Sequence, residues 1–378
     1  MQVYFDNAAT TAPDPRVIDA MMETMGQHYG NPSSIHAHGR QAKTIVERAR
    51  KTVAGLLNTA PSEIFFTSGG TEADNTAIVR SLLDHDISHV ITSPLEHHAV
   101  LHTLEALEKQ GSIKVTFLRV DDQGHVDVSQ LEQVLKDNPR SLVSLMQANN
   151  EIGTITDIEY VSALCKSYQA IFHSDTVQTM GHYVHDFAKL QVDFATGAAH
   201  KFHGPKGVGF LYINHQTKIQ PFIYGGPQER NMRGGTENIY GIVGLAKALE
   251  IAYADMAEHQ RYIQGLKDYM IAQLREHIRD VRFNGDIASD KSLYTVLNVS
   301  FPCTEIADML LFSLDIAGIS VSGGSACSSG SDIGSHVLQA IGADPARPSV
   351  RFSFCKTNTR DEIDFVVGKL KELCYEKA

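Results

Sequence analysis

Several residues in this chain have the types and settings that do chemistry. Lys201 follows a short apolar run in FATGAAHKFHGPKGVGF (194–210) and precedes a His-Gly-Pro step and a glycine turn. Most lysines are solvated surface residues. One held at the mouth of a sheet, its pKa lowered by its surroundings, is the type that forms Schiff bases with carbonyl compounds. Asp175 ends a second run in FHSDTVQ (172–178), with Gln178 one helical turn on. A strand-end Asp often only caps the next helix; facing a pyridinium nitrogen, it would keep that nitrogen protonated. In TSGGTEADNTAI (67–78) two glycines turn the chain and a helix begins at Thr71. A helix N-terminus offers unpaired N–H groups and a favourable dipole to a phosphate, although a glycine turn before a capped helix would look the same. His97 follows a fourth run in SPLEHHAV (93–100). His98 and His102, four apart, have no carboxylate or cysteine at a matching interval, so no metal site is expected there.

Lysine, phosphate cradle, aspartate and aromatic imidazole, each after a different apolar run, are together what a pyridoxal phosphate (PLP) site requires, and no one of them is specific alone. A fifth feature stands apart. In SGGSACSSGSDIGS (322–335) a single thiol, Cys327, sits among glycine and serine with almost nothing apolar to bury it against, whereas free cysteine is usually buried. Low ordering and little apolar anchorage suit a loop that moves.

These residues need elements to position them. The runs IFFT (64–67), HVITS (89–93), VTFLRV (115–120), LVSLMQ (142–147), AIFHSD (170–175), VDFATGA (192–198) and GVGFLYI (207–213) alternate with segments of helical spacing such as 34–57 and 97–109. Near-continuous apolar strands alternating with helices predict an α/β fold with a mostly parallel sheet covered on both faces. Ligands then bind beyond the carboxyl ends of the strands. A helical pattern from about 240 to 279 reads as a connector to a smaller α/β region containing YTVLNVSF (294–301), EIADMLLFSL (305–314) and SVRFSF (349–354). The expected division is a large domain at 15–254 and a small one at 255–378 that also takes in 1–14.

The chain has 378 residues, 43% hydrophobic and 20% charged, as in an ordinary globular protein of about two domains. Its 33 basic and 44 acidic residues leave a net charge of −11 without a basic patch, which argues against a nucleic-acid or anionic-membrane partner. No secretory signal or apolar span is visible. Cysteines 165, 303, 327, 355 and 374 are odd in number and scattered, so reduced thiols in a cytoplasm are expected, with Cys165 plain core.

The motif series FDNAATT (5–11), GNPSSIH (30–36), TSGGTEADN (67–75), EHHAV (96–100), NNEIGT (149–154), AHKFHGPKG (199–207), RGGTEN (233–238) and GSACSSGS (324–331) resembles that of the cysteine desulfurases. These are PLP enzymes of transferase fold type I in the class V aminotransferase group. The resemblance runs from residue 4 to about 365. It implies that Lys201 carries PLP covalently and shuttles protons, His97 stacks on the ring, Asp175 pairs with its nitrogen and Gln178 bonds its phenolic oxygen. Gly70, Thr71 and His200 would bind the phosphate, and Thr236 would reach the phosphate of a neighbouring subunit in a homodimer. Asn150, which also faces the cofactor, would hold the carboxylate of L-cysteine together with Asn7 and Arg351. Cys327 would take the sulfur as a persulfide and pass it to an acceptor or iron–sulfur scaffold protein; no metal is implied beyond Cys327 as a transient iron–sulfur ligand. His97, with a reference pKa near ~6.5, would be the acid–base group beside the substrate thiol.

Two positions depart from the pattern. Ala198 stands where a phosphate-binding serine is common, so one hydrogen bond is expected to be missing or replaced by Thr196 or water, with weaker cofactor retention. Cys355 stands where glycine is usual and reads as a packing substitution or, alternatively, a second thiol near the cleft. The long Gly/Ser stretch is similar to the branch that moves sulfur on a mobile loop, and no RSGHH-type pattern is present. Alternatives are a related PLP enzyme of the same fold, such as a selenocysteine lyase or an aminotransferase, and a non-catalytic iron–sulfur assembly scaffold.

Overall fold

The computed structural model of the chain describes residues 1–138, 140–288, 290–323 and 334–375. Its elements in chain order are β1 (Val3–Tyr4), α1 (Pro15–Gln27), α2 (Ala37–Leu56), β2 (Ile64–Thr67), α3 (Gly70–Asp84), β3 (His89–Thr92), α4 (His98–Lys109) and β4 (Lys114–Phe117). Then come α5 (Val128–Asp137), β5 (Leu142–Ser144), α6 (Ile158–Ser167), β6 (Ile171–Asp175), β7 (Phe194–Ala198), β8 (Gly209–Ile213), α7 (Ile239–Ala254) and α8 (Met256–His277). The last are β9 (Arg282–Asn284), β10 (Val296–Ser300), α9 (Leu310–Ile316), β11 (Ile319–Ser320), α10 (His336–Ala340), β12 (Ser349–Ser353) and α11 (Arg360–Tyr375).

The seven apolar runs before residue 214 all become strands of one sheet, in the order β2-β8-β7-β6-β5-β3-β4. Strands β7, β6, β5, β3 and β4 are parallel, while β8 runs antiparallel to both β2 and β7. β6, β7 and β8 are almost wholly buried, as expected of strands covered on both faces. β4 lies at the sheet's edge and is half exposed. Separately, β12-β10-β9 form a second, antiparallel sheet and β1 pairs with β11.

The long helical pattern from 240 is two helices and not one connector. α7 is apolar almost all round, packs on α1 and α2, and belongs to a core cluster running from Val17 to Ile251. α8 turns a different face into a second core, built with Val3, Phe5 and residues from 263 to 370. The break falls at Asp255. The N-terminal segment is held in that second core by Phe5, fully buried edge-on to Phe352 and Phe354, a burial contributing about 1.5–3 kcal/mol. Cys165 is core, as expected. Among the described residues no helix is long and apolar enough to cross a membrane.

Candidate active site

The carboxyl ends of β6 and β7, the N-termini of α3 and α4, and the N-terminal segment enclose a cavity of about 200 Å³. Gly70, Thr71, His97, Asn150, Asp175, Gln178, His200, Lys201 and Arg351 all line it, together with Ala8, Ala9, Asp74 and Ala198. Nine residues singled out from distant motifs therefore meet on one wall.

Lys201 sits in a short 3-10 turn just past β7. Its Nζ donates to the carbonyl of Ala8 (2.5 Å) and of Ala9 (2.9 Å), and Gln178 Nε2 donates to the same Ala8 carbonyl (3.1 Å). FDNAATT thus acts through its backbone, by gathering the donors of two other motifs. Thr10 and Thr11 tie the same segment to His200: Thr10 Oγ1 lies 3.2 Å from His200 Nδ1, and Thr11 donates to the His200 carbonyl. The turn into α3 passes through Gly69 at φ 155°, ψ −175°, a conformation essentially limited to glycine. Gly70 and Thr71 line the cavity, and the N–H groups of a helix's first turn have no acceptor within the helix. Gly70 keeps the approach open: a Cβ there would meet Val177 at 3.0 Å and Ala198 at 3.9 Å.

His97 caps α4, its Nδ1 accepting from the Ala99 N–H at 3.1 Å, so the neutral ring carries its proton on Nε2. Burial, then the charge of Lys201, lowers its pKa to about 4. This differs from the expectation of a group titrating near neutrality: at neutral pH the imidazole is uncharged and offers one N–H.

Three buried carboxylates cluster here, Asp74 and Asp175 lining the cavity and Glu96 close enough to feel both charges, a feature the motifs did not reveal. One ligand atom each of Asp74, His97 and Asp175 lies within 4.8 Å of the others. Asp175 accepts from the Val177 N–H (2.9 Å); burial, then Asp74, raise its pKa to about 7. Asp74, 1% exposed, is raised to about 7 by burial, opposed by a hydrogen bond from Thr196. Glu96 accepts from the Met146 N–H (2.9 Å) and is pushed well above the usual carboxylate range by burial, with Asp175 and Asp74 adding. His173 Nε2 lies 3.3 Å from Asp74 Oδ1, and burial lowers this imidazole to about 4. The charge of Lys201 offsets that of Asp175 only in part, and like charges this close cannot all ionise. Thr196 faces Asp74 and His173 and does not line the cavity, so it is not the stand-in for the serine that Ala198 replaces.

The signal for Asp74 was present in TSGGTEADN: it stands one helical turn past Gly70 and Thr71, on the face they present. Its pH effect can be measured. Between about pH 4, the ordinary carboxylate range, and pH 7, folded Asp74 keeps a proton that the unfolded chain has released. Stability therefore falls as pH rises through that window and levels above it. Asp74→Asn in the cofactor-free protein should match the parent near pH 4 and exceed it by about 2–4 kcal/mol above pH 7. Urea unfolding across pH 4–8 reads this, and a difference independent of pH would refute it.

Arg351, 1% exposed on β12, gives Nη2 to Asp6 Oδ1 (2.8 Å) and Nη1 to the Asn150 carbonyl (3.0 Å). Its Nε is buried without a partner among the described residues, a donor left over for a ligand carboxylate. Asn7 is not brought to this wall: its amide nitrogen donates to the Ser353 carbonyl (2.8 Å) and it lines a neighbouring cavity of about 30 Å³. Thr236 is exposed and outside the cavity lining, on a loop tied to α3 by Arg233 and Glu72 (2.9 and 3.1 Å). Cys355 is buried, its Sγ 3.1 Å from Thr357 Oγ1.

Cys327, and the expectation of a poorly ordered loop around it, lie outside the described residues. Both flanks of that segment are at the site. Ser322 pairs with the Arg351 backbone and donates to Asp6, while Ser335 donates to Glu151 (2.5 Å) and His336 Nε2 lies 3.0 Å from the Glu96 carbonyl. The His98 ring packs on those of His102 and His336 at 4.6 and 4.7 Å.

The residues fit PLP. Backbone N–H groups on α3 suit a phosphate, Lys201 and Gln178 donors converge beside it, and Asp175 with Asp74 offers buried negative charge to a protonated ring nitrogen.

Comparison with known proteins agrees. The family model for aminotransferase class-V matches residues 3–366. A curated cysteine desulfurase, IscS of Dictyoglomus turgidum, is 43% identical, covering 98% of this chain and 94% of its own length. The IscS cysteine desulfurase of Clostridium botulinum strain Hall is also 43% identical, over 100% of this chain and 95% of its own. A solved NifS-like protein superposes with a TM-score of 0.91 at 39% identity, covering 99% of both chains.

Proposed function

The chain belongs to the class-V aminotransferase family and is one of its cysteine desulfurases, PLP-dependent enzymes that take sulfur from L-cysteine for transfer to acceptors, and from this we propose how its own residues divide the work. The observation that carries the reading is the meeting of Lys201, Asp175, His97, Gln178, Thr71 and Arg351 around one cavity at the strand ends.

Bound PLP supplies an electron sink that makes bonds at the substrate's carbons labile. Lys201 holds it and moves the proton at the substrate Cα. Asp175 would pair with the ring nitrogen as the charged member of the carboxylate pair, Asp74 then keeping the pair's proton on its own carboxyl. Gly70, Thr71 and His200 would hold the phosphate, Gln178 the phenolic oxygen, and His97, its proton on Nε2, would stack on the ring as the acid–base group for the substrate thiol. Asn150 and Arg351 orient the carboxylate; the amide of Asn7 braces the segment that carries Ala8 and Ala9. Cys327 attacks as thiolate: its sulfur bonds to the substrate sulfur as the carbon–sulfur bond breaks. The balance is L-cysteine plus one protein thiol giving L-alanine plus one protein persulfide.

The two core clusters favour a large domain at 15–254 and a small one at 255–378 joined by 1–14. Thr236, exposed beside the phosphate end of α3, favours a homodimer in which it reaches the partner's phosphate. The acceptor is read as an iron–sulfur scaffold or another thio-cofactor pathway, in the cytoplasm, where Cys327 stays reduced.

Incubating the PLP-loaded enzyme with L-cysteine should yield alanine and a sulfur-bearing Cys327 peptide by mass. Amino transfer to a keto acid without sulfur on the protein would overturn this reading. Arg351→Lys should raise KM for L-cysteine about 10–100-fold and change kcat less, because an ammonium keeps the charge but loses both the Nε–H left over for the carboxylate and the planar group that Asp6 and Asn150 hold in place. Steady-state kinetics tests that split; an unchanged KM would place the carboxylate elsewhere.

A further inference from the structure

Two thiols outside the active site meet in the second core. Cys303 follows β10 at the start of the 3-10 turn Thr304–Met309, and Cys374 lies in the last turn of α11. They are 71 residues apart in sequence, yet their sulfurs are 2.6 Å apart, the Cys374 thiol directed at Cys303 Sγ. This is closer than unbonded sulfur atoms ordinarily pack. Cys303 is 8% exposed, while Cys374 is half-buried and next to exposed Tyr375, so a small reagent can reach the pair from the helix end. The other described cysteines lack such a neighbour: Cys165 is enclosed in the first core and Cys355 is held against Thr357.

We propose that Cys303 and Cys374 are a reversible redox pair, forming a disulfide with a low-molecular-weight disulfide as oxidant and fastening the end of α11 to the turn after β10. The Cys303 thiolate attacks RS–SR and expels one RS⁻. Cys374, giving its proton to that leaving group, then attacks the Cys303 sulfur of the mixed disulfide and expels the second thiolate. The balance is two protein thiols and RS–SR giving one protein disulfide and two RSH. The Cys374 thiol donating to Cys303 lowers the pKa of Cys303 and raises its own, which favours Cys303 as first attacker. Disulfides of reducing compartments are commonly of this transient kind. The bond would close a loop containing both Cys327 and Arg351, so its formation ties down the stretch of chain that carries the sulfur.

The test uses the full-length, PLP-loaded protein with glutathione disulfide, followed by alkylation and peptide mapping without reductant. The expected product is a Cys303–Cys374 linked peptide, reversed by dithiothreitol, with a thermal midpoint several degrees above that of the reduced protein. In Cys303→Ser the link and the thermal shift should vanish, Cys374 should carry glutathione, and alanine production by the reduced variant should equal the parent's. Cys374→Ser, at the more exposed member, repeats the test should Cys303→Ser fold poorly. Both thiols remaining alkylatable after oxidation, pairing of either with Cys327, or persistence of the shift in both serine variants would overturn the pair.

Discussion

Lys201→Ala is expected to yield a folded protein from which borohydride and mass spectrometry recover no covalently attached cofactor, with alanine production from L-cysteine lowered by ~10³-fold or more. The size of the loss follows from the two tasks placed on one nitrogen, holding the cofactor and moving the Cα proton. Removing the amine also takes donors from the Ala8 and Ala9 carbonyls, at a cost of about 1–3 kcal/mol if neither finds another. The N-terminal segment stays anchored by Phe5 and by Thr11, so the fold should survive. A borohydride-stable protein–cofactor adduct in this variant would mean that another residue is the anchor.

Cys327→Ser separates binding from sulfur transfer. Binding and the first proton movement depend on Lys201, Asp175, His97 and Arg351, none of which is altered. The variant should therefore keep the visible cofactor band and its change on adding L-cysteine. Multiple-turnover alanine formation and the protein persulfide should both be lost, since a hydroxyl is far less nucleophilic toward sulfur than a thiolate. Chain length allows the assignment: Cys327 is four residues beyond Gly323, a reach of at most about 14 Å, and Ser322 is paired with Arg351. Sustained alanine production at the parent's rate by the serine variant would remove Cys327 from the mechanism.

The strands were readable because buried parallel strands are near-continuous apolar runs, and Lys201, Asp175 and His97 because ligands bind where such strands end. Two expectations failed for reasons local pattern cannot carry. One helical pattern from 240 became α7 and α8, because the two halves turn their apolar faces to different cores. His97 was assigned a pKa near that of free imidazole, yet burial beside Lys201 takes it to about 4. Asn7, read toward the substrate, is occupied by a carbonyl on β12, and Thr196, a candidate for the phosphate, by Asp74 and His173.

By itself the sequence determined the chemistry available to this protein: a lysine, a carboxylate, an imidazole and a thiol, placed where strands end or where glycine and serine release the chain. Those choices are local, set by side-chain type and by the period of apolar residues. Only the tertiary structure decided which of these groups carry protons and which are occupied by neighbours. It set Asp74 and Glu96 near Asp175, closed Asp6 on Arg351, and brought Cys303 to Cys374. Such contacts join residues tens to hundreds of positions apart, and burial, which sets their charge, exists only after the elements have packed.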